Sequence, residues 1–332
     1  MRIKVMHVGL GPIGAGVVRQ VASRKGFVIV GAVDVDPKKV GEDLGDVCGV
    51  GRKLRVKVTD DIGRTIRATR PDVAVLCTSS SLKKVLPEFT AVLKLKVPIV
   101  STTEELAYPT KGNAAVARKI DALAKRARVA VLGTGVNPGF AMDALPIAIT
   151  AVCESVQAIE VDRIQDASIR RLPFQKKIGA GLTREEFAEK VKDGSVRHVG
   201  LAESITMIAD ALGWKLDKVT DEIEPKMATA PVASKLLSVA AGQVCGIVQD
   251  GTGYRKDQPI IKLHMEAYLG APESYDAVRI TGNPPLSMKI TGGIHGDIAT
   301  ASITVNSIPK VLQAAPGLRT MRDLALPSFF GG

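Results

Sequence analysis

The sequence predicts an α/β fold: a doubly wound parallel sheet plus a second α+β domain with an open, largely antiparallel sheet. Three observations carry this. Over roughly the first 135 residues, short apolar runs alternate with charge-bearing segments of helical length, as a parallel sheet covered on both faces requires. "VGLGPIG" then sets Gly9, Gly11 and Gly14 directly after the first run, at a dinucleotide-turn spacing. Beyond about residue 140 the runs lengthen and polar residues interleave, the pattern of an antiparallel sheet with one open face.

Taken in order, the strands of the first part are "IKVMHVG", "FVIVGAVD", "RVKV", "DVAVLCTSS", "VPIVST" and "VAVLG". In the second part "SVQAIEVDRIQ", "AGQVCGIVQD", "IIKLHMEAYLG" and "YDAVRITG" read as strands, with "QDGTG" as a glycine-containing turn between two of them. "TREEFAEKVKDG" reads as a helix, since Thr183 and Glu186 have capping-box spacing. The tail "IATASITVNSIPKVLQAAPG" is long enough for a helix that returns to pack on the first domain. The expected division is 1-140 with 299-332 as the dinucleotide-binding Rossmann domain, and 141-298 as the substrate-binding and dimerisation domain.

Composition narrows the function. The chain of 332 residues is 45% hydrophobic, yet no uninterrupted apolar run reaches the ~18 residues of a membrane span. Met1 leads into a strand-like segment with no signal-peptide pattern, so a cytoplasmic protein is expected. The formal charge of +11 is spread along the chain and only 4% of residues are aromatic, which argues against a nucleic-acid partner and for a basic surface that attracts anionic ligands. Cys48, Cys77, Cys153 and Cys245 are scattered, as are His7, His198, His264 and His295, so no metal site is expected.

The glycine motif has a physical reading. Gly9 makes the tight turn, Gly11 lets a pyrophosphate approach the backbone, and Gly14 allows close helix–strand packing. Pro12 fits the first helical position, and with Ile13 it opens a helix whose amides face the phosphates. Twenty residues after Gly14, Asp34 ends "IVGAVD", placed for the adenine ribose 2'-hydroxyl. It would repel a 2'-phosphate and favours NAD, with NADP as the alternative cofactor if Lys38 and Lys39 offset that repulsion. Thr78, Ser79 and Ser80 end the fourth strand at the ligand edge, where their hydroxyls suit either the cofactor or the cap of the next helix.

"STTEEL", 101–106, admits two explanations. Ser101 with Glu104, and Thr102 with Glu105, both fit capping-box spacing. The segment also leaves a strand where the nicotinamide should lie, and a carboxylate beside a reacting centre suits general acid–base work. "GTGVNPGFAMD" follows the next strand. Its Asn137 can pair with the nicotinamide carboxamide, although Asn-Pro-Gly is also an ordinary turn.

The combination of "GLGPIG", "STTEELAYP", "GTGVNPGFAMD", "RRLPFQKKIGAGL" and "NSIPKVLQAAPGLRTMRDL" resembles the 2,4-diaminopentanoate dehydrogenases and native amine dehydrogenases of the dihydrodipicolinate reductase-like superfamily, nearly end to end. The resemblance implies an NAD(P)-dependent homodimer that performs reductive amination of a carbonyl with ammonia, or the reverse oxidative deamination. It also implies a catalytic glutamate that aligns with Glu104, with Glu105 as the alternative. On this reading Ser101 and Thr102 cap the turn, Glu105 closes the capping interaction and Glu104 faces the nicotinamide. Dihydrodipicolinate reductase itself is set aside, because its His-His-x-x-Lys stretch has no counterpart in a chain without adjacent histidines.

On the substrate side, Val136 and Phe140 are expected as apolar walls, Ala141 as a small residue that leaves room, and His198 as a pocket residue of the second domain or a surface loop histidine. His264 and Tyr268, four apart, share one strand face. The basic residues Arg163, Arg170, Arg171, Lys176 and Lys177 either hold an anionic group or form a solvated or subunit-bridging loop. Small amines, 2,4-diaminopentanoate, and a non-catalytic regulatory role on the same fold are the readings carried forward.

Overall fold

The computed structural model describes residues 2–196 and 198–332. The first strands and helices alternate: β1 (Ile3–Val8), α1 (Pro12–Ser23), β2 (Phe27–Val33), α2 (Leu44–Val47), β3 (Val58–Thr59), α3 (Ile62–Thr69), β4 (Val73–Leu76), α4 (Leu82–Lys94), β5 (Ile99–Ser101), α5 (Ala114–Ala127) and β6 (Ala130–Gly133). All four residues of β4 are buried, and so are those of β6, which is why these runs carry no polar alternation. Met6, Leu76, Phe89, Ile99 and Ile120 meet in the core that α4 and α5 form with the sheet.

Strand β3 is shorter than "RVKV" suggests, because the chain before it is held in a loop. The Asp43 carboxylate accepts the amides of Gly45, Leu54 and Arg55 at 2.8, 2.9 and 2.8 Å, and Arg55 adopts a left-handed φ of 58°. Pairing with β2 therefore starts only at Val58.

The middle of the chain builds α6 (Ala144–Ile149), β7 (Ser155–Asp166), α7 (Leu172–Lys177), α8 (Arg184–Lys192), α9 (Leu201–Ala211), β8 (Lys218–Met227), the short pair β9 (Val232–Ala233) and β10 (Ser238–Val239), β11 (Val244–Arg255), β12 (Gln258–Tyr268), β13 (Tyr275–Asn283) and β14 (Leu286–Thr291). The capping box of Thr183 and Glu186 forms at the start of α8. The sheet runs β14-β13-β7-β12-β11-β8, antiparallel throughout except for the parallel pair β7 and β12.

"QDGTG" is not a turn; it lies inside β11. Its glycines serve packing, since a Cβ on Gly251 or Gly253 would come within 2.9 Å of the Ile205 side chain on α9. The actual hairpin turn is Lys256–Asp257, with φ of 50° and 60°, the backbone that matches the twist of a two-residue connection.

The chain then forms α10 (Gly296–Gln313) and β15 (Gly317–Arg319). β15 pairs parallel with β6, completing a seven-stranded parallel sheet in the order β15-β6-β5-β4-β1-β2-β3. Helix α10 packs beside α1, where Gln20 Nε2 donates to Ser302 Oγ at 3.0 Å. The residues group into two compact units, Met1–Phe140 with His295–Gly332, and Ala141–Ile294. Among the described residues, no helix is long and apolar enough to cross a membrane.

Candidate active site

In the first unit, the glycine turn is fixed by contacts that tolerate nothing larger at two of its three positions. Gly9 has φ +84°, and a Cβ there would stand 2.6 Å from Thr78 Cγ2 and 2.7 Å from the Cys77 carbonyl oxygen. On Gly14 a Cβ would fall 2.0 Å from the Gly9 carbonyl oxygen. Gly11 differs, because nothing lies within 4 Å of its Cβ position. Its backbone therefore borders open space at the start of α1, where Pro12 occupies the first turn and Ile13 is half-buried. This is the room a pyrophosphate needs beside a helix N-terminus.

Asp34 stands at the end of β2, buried and held by three donors. Its Oδ2 accepts the Leu10 amide at 2.7 Å and Lys39 Nζ at 3.1 Å, and its Oδ1 accepts the Asp36 amide at 2.9 Å. Burial pushes its pKa up, but the two amides and the Lys39 ammonium outweigh this and hold it below the usual carboxylate range. Beside it, Val35 is 86% exposed, an apolar side chain at the ligand edge that the sequence reading passed over. Its signal was an apolar residue between two aspartates, outside the strand pattern.

The loop after β4 uses its hydroxyls internally. Thr78 Oγ1 donates to Glu88 Oε2 at 2.6 Å, and Ser79 Oγ accepts the Ser81 amide at 3.2 Å. Ser80 is exposed and gives its carbonyl to the Glu105 amide at 3.2 Å. Burial pushes the Glu88 carboxyl up, partly offset by the Thr78 bond.

Of the expected capping of the "STTEEL" turn, Ser101 supplies a part, since its Oγ accepts the Thr103 amide at 3.2 Å, but Glu105 does not close it. Ser101 Oγ also donates to the Leu76 carbonyl at 3.0 Å and meets Thr103 Oγ1 at 2.9 Å, while Thr103, the residue before the 3-10 turn Glu104–Leu106, makes no side-chain cap. The Glu105 carboxylate leaves the turn altogether and accepts the Leu82 amide at the start of α4 at 2.8 Å. Residues of a 3-10 turn are set about 120° apart, so Glu104 and Glu105 leave the turn on different sides. Glu104 is half-buried and has interactions of its own.

The next loop is pressed against this turn. A Cβ on Gly133 would lie 2.5 Å from the Leu106 carbonyl carbon, and the Thr134 amide donates to the Ser101 carbonyl at 2.9 Å. Val136 and Asn137 are buried, the bond from Asn137 to Pro138 is cis, and Gly139 at φ +126° packs on Gly135. Phe140 is half-buried. The first unit thus brings Glu104, Glu105, Asn137, Thr78, Ser79 and Ser80 to one edge of the sheet, the carboxyl ends of β4, β5 and β6, with the glycine turn at the same ends of β1 and β2.

In the second unit, Ala141 is fully enclosed. Just beyond it, Asp143 caps α6 through the Ala144 amide and accepts Ser204 Oγ at 2.8 Å. His198 is fastened by its backbone: its amide donates to Gln249 Oε1 at 3.2 Å and its carbonyl accepts Gln249 Nε2 at 3.0 Å. Arg163 is no anion holder. It is buried against Asp276, and its Nη2 donates to the Ile294 carbonyl at 2.9 Å. Arg170 lies over the Phe174 ring at 4.0 Å. His264 and Tyr268 share the open face of the sheet, while Leu263, Met265 and Ala267 are buried on the other. Among the described residues, no group of three or more His, Cys, Asp or Glu is placed to hold a metal ion.

Comparison with known proteins fits this geometry. Residues 3–134 match the family model of the dihydrodipicolinate reductase N-terminus, and residues 140–332 match that of the 2,4-diaminopentanoate dehydrogenase C-terminal domain. The chain is 35% identical to the 2,4-diaminopentanoate dehydrogenase of Acetoanaerobium sticklandii, over 98% of this chain and 94% of that protein. It is 22% identical to an amine dehydrogenase of Streptomyces virginiae, over 97% of this chain and 96% of that protein. The structure of the amine dehydrogenase from Mycobacterium smegmatis shares its fold, with a TM-score of 0.88 at 24% identity over 100% of this chain and 98% of that one. The chain therefore belongs to the 2,4-diaminopentanoate dehydrogenase family, within the dihydrodipicolinate reductase-like superfamily, and is an NAD(P)-dependent oxidoreductase of the kind that acts on small-molecule amines.

Proposed function

We propose that the protein interconverts a small primary amine with its ketone or aldehyde and ammonia, with Glu104 as the acid and base. One observation carries this assignment: the turn Glu104–Leu106 follows the carboxyl end of β5, which sets Glu104 at the ligand edge of the sheet, while the adjacent Glu105 caps the start of α4 through the Leu82 amide. A nicotinamide dinucleotide held at this edge would supply the hydride chemistry, and Glu104 the proton chemistry. An amine gives up hydride only when neutral, so Glu104 first takes its proton and passes it to water; ionised again, the carboxylate stabilises the iminium cation. In the aminating direction the protonated Glu104 hands its proton to the hydroxyl that leaves the carbinolamine as water.

For the cofactor, Gly9, Gly11, Pro12, Ile13 and Gly14 would flank the pyrophosphate and Asp34 the adenine ribose. Thr78, Ser79, Ser80 and Asn137 would serve the nicotinamide half. The buried Asp34 favours NAD, and Lys39 beside it lets NADP bind as the second choice. Val136 and Phe140 are apolar walls, and His198 lies on the substrate-binding, dimerising unit of a homodimer.

A substrate of the 2,4-diaminopentanoate type is the second reading, favoured by the 35% identity to a protein of that name. Oxidation of NADH or NADPH with ammonia and a panel of ketones, aldehydes, keto acids and 2-amino-4-oxopentanoate separates the two. Binding of NADH without turnover of any of them would reject the enzymatic role and leave a regulatory one.

A further inference from the structure

We infer that Glu105 is a positioning residue that locks the turn bearing Glu104 to the cofactor loop Thr78–Ser80, so that cofactor binding and the orientation of Glu104 depend on one carboxylate. The inference rests on the reading of Glu104 given above.

The start of α4 explains why a carboxylate is needed there. Its N-cap residue, Ser81, makes no side-chain bond, and its first turn contains no acid but carries Lys83 and Lys84. A helix start of this kind leaves amide groups unpaired and concentrates positive charge. Glu105 supplies both remedies from outside the helix, since Oε2 accepts the Leu82 amide at 2.8 Å and brings a negative charge to that end.

The same residue is fastened through its backbone. The Glu105 amide donates to the Ser80 carbonyl at 3.2 Å, so it both gives to and takes from the stretch 80–82. Two further bonds hold the root of the turn, from the Thr102 amide to the Leu76 carbonyl at 3.1 Å and from Ser101 Oγ to that carbonyl at 3.0 Å. On the far side, Glu88 of α4 holds Thr78 at 2.6 Å. The loop 78–82 is thus pinned by one glutamate from its own helix and by another from the reacting turn.

A single tight turn transmits the consequence. With Glu105 directed at α4, the tight turn sets the neighbouring residue 104 about 120° around it, so the two side chains shift together when the turn moves. Releasing Glu105 lets the turn rotate and frees the loop it grips.

The experiment compares Glu105→Ala, Glu105→Asp and Glu105→Gln with Glu104→Gln in the full chain. It measures the NADH Kd by nicotinamide fluorescence, kcat and KM for amine and NAD, the pH profile of kcat, and the melting temperature. Loss of a charged cap interaction predicts an NADH Kd raised about fivefold and a kcat lowered about tenfold or more in Glu105→Ala, with the pH profile unchanged in shape. Glu105→Asp keeps the charge but not the reach and shows the same defects. Glu105→Gln keeps the acceptor oxygen and recovers both to within about threefold of the native values.

Two results would overturn the inference. If Glu105→Gln is as inactive as Glu104→Gln and loses the acid limb of the profile, Glu105 itself transfers the proton. If Glu105→Ala and Glu105→Asp lower the melting temperature alone, with Kd and kcat unmoved, the residue is a helix cap and nothing more. Full activity in Glu104→Gln would reject the underlying reading instead, while the NADH Kd of the Glu105 variants, which needs no turnover, still reports on the cofactor loop.

Discussion

Lys39 holds its ammonium nitrogen 3.1 Å from Oδ2 of Asp34, the carboxylate that in such folds meets the adenine ribose. An acid that would repel a 2'-phosphate therefore has a cation beside it able to attract one. Removing that cation in Lys39→Ala is expected to raise KM for NADP about tenfold and to change KM for NAD less than about twofold. Steady-state kinetics with both cofactors check this. An equal change in both would reduce Lys39 to a partner of the Asp34 loop.

The three glycines of the turn predict three different mutants. Gly14→Ala drives a Cβ to 2.0 Å from the Gly9 carbonyl and is expected to destabilise the fold by about 1–3 kcal/mol, as overpacking does. Gly9→Ala adds a left-handed backbone to its clash and loses both stability and cofactor binding. Gly11→Ala meets no protein atom, so its melting temperature stays native while its NADH Kd rises about tenfold or more. Thermal denaturation alongside NADH titration reads out all three, and unchanged binding in Gly11→Ala would move the phosphates elsewhere.

The buried pair of Arg163 and Asp276 grips both the amide and the carbonyl of Ile294, at 2.7 and 2.9 Å. Asp276→Ala leaves an uncompensated guanidinium in the core, and urea denaturation should show a loss of about 3–5 kcal/mol. Replacing both partners, as in Arg163→Met with Asp276→Leu, should cost less than that single change.

His264 makes stability depend on pH. Its Nδ1 lies 2.7 Å from Asp250 and its Nε2 3.2 Å from Glu266, which in turn accepts Lys226; Asp162 lies opposite on β7. Burial depresses its pKa, but the two carboxylates outweigh that and raise it. A raised folded-state value means that its stabilisation is complete below the unfolded pKa of about 6.5 and fades as pH climbs through the folded value. The melting temperature of the native protein should therefore fall, as pH rises above about 6.5, by more than that of His264→Gln. Parallel curves for the two proteins would exclude His264 as the source.

What the sequence revealed was mostly local. The turn at Gly9–Gly14 and the capping box at Thr183 and Glu186 are complete within six residues or fewer, and both stand in the structure as spacing suggests. The capping spacing of "STTEEL" misled because the competing partner, the Leu82 amide, lies 23 residues away in sequence. Arg163 looked like part of a basic loop because Asp276 is 113 residues off. "QDGTG" looked like a turn because glycine both bends chains and admits neighbours, and only the arrival of α9 against Gly251 and Gly253 decides between those uses. The true turn, Lys256–Asp257, places two ordinary side chains in left-handed backbone.

The return of α10 to the first unit sets a timetable for the nascent chain. Gly16 and Gln20 of α1, with Arg24 at its end, meet Ala301, Ser302 and Asn306 of α10, a helix that begins only at Gly296, after the whole second unit has been translated. At roughly 5–20 residues per second, the segment up to residue 140 must wait many seconds on the ribosome with that flank bare. The second unit, continuous from Ala141 to Ile294, is free to fold during that wait. The first unit is thus closed only after the second has been made.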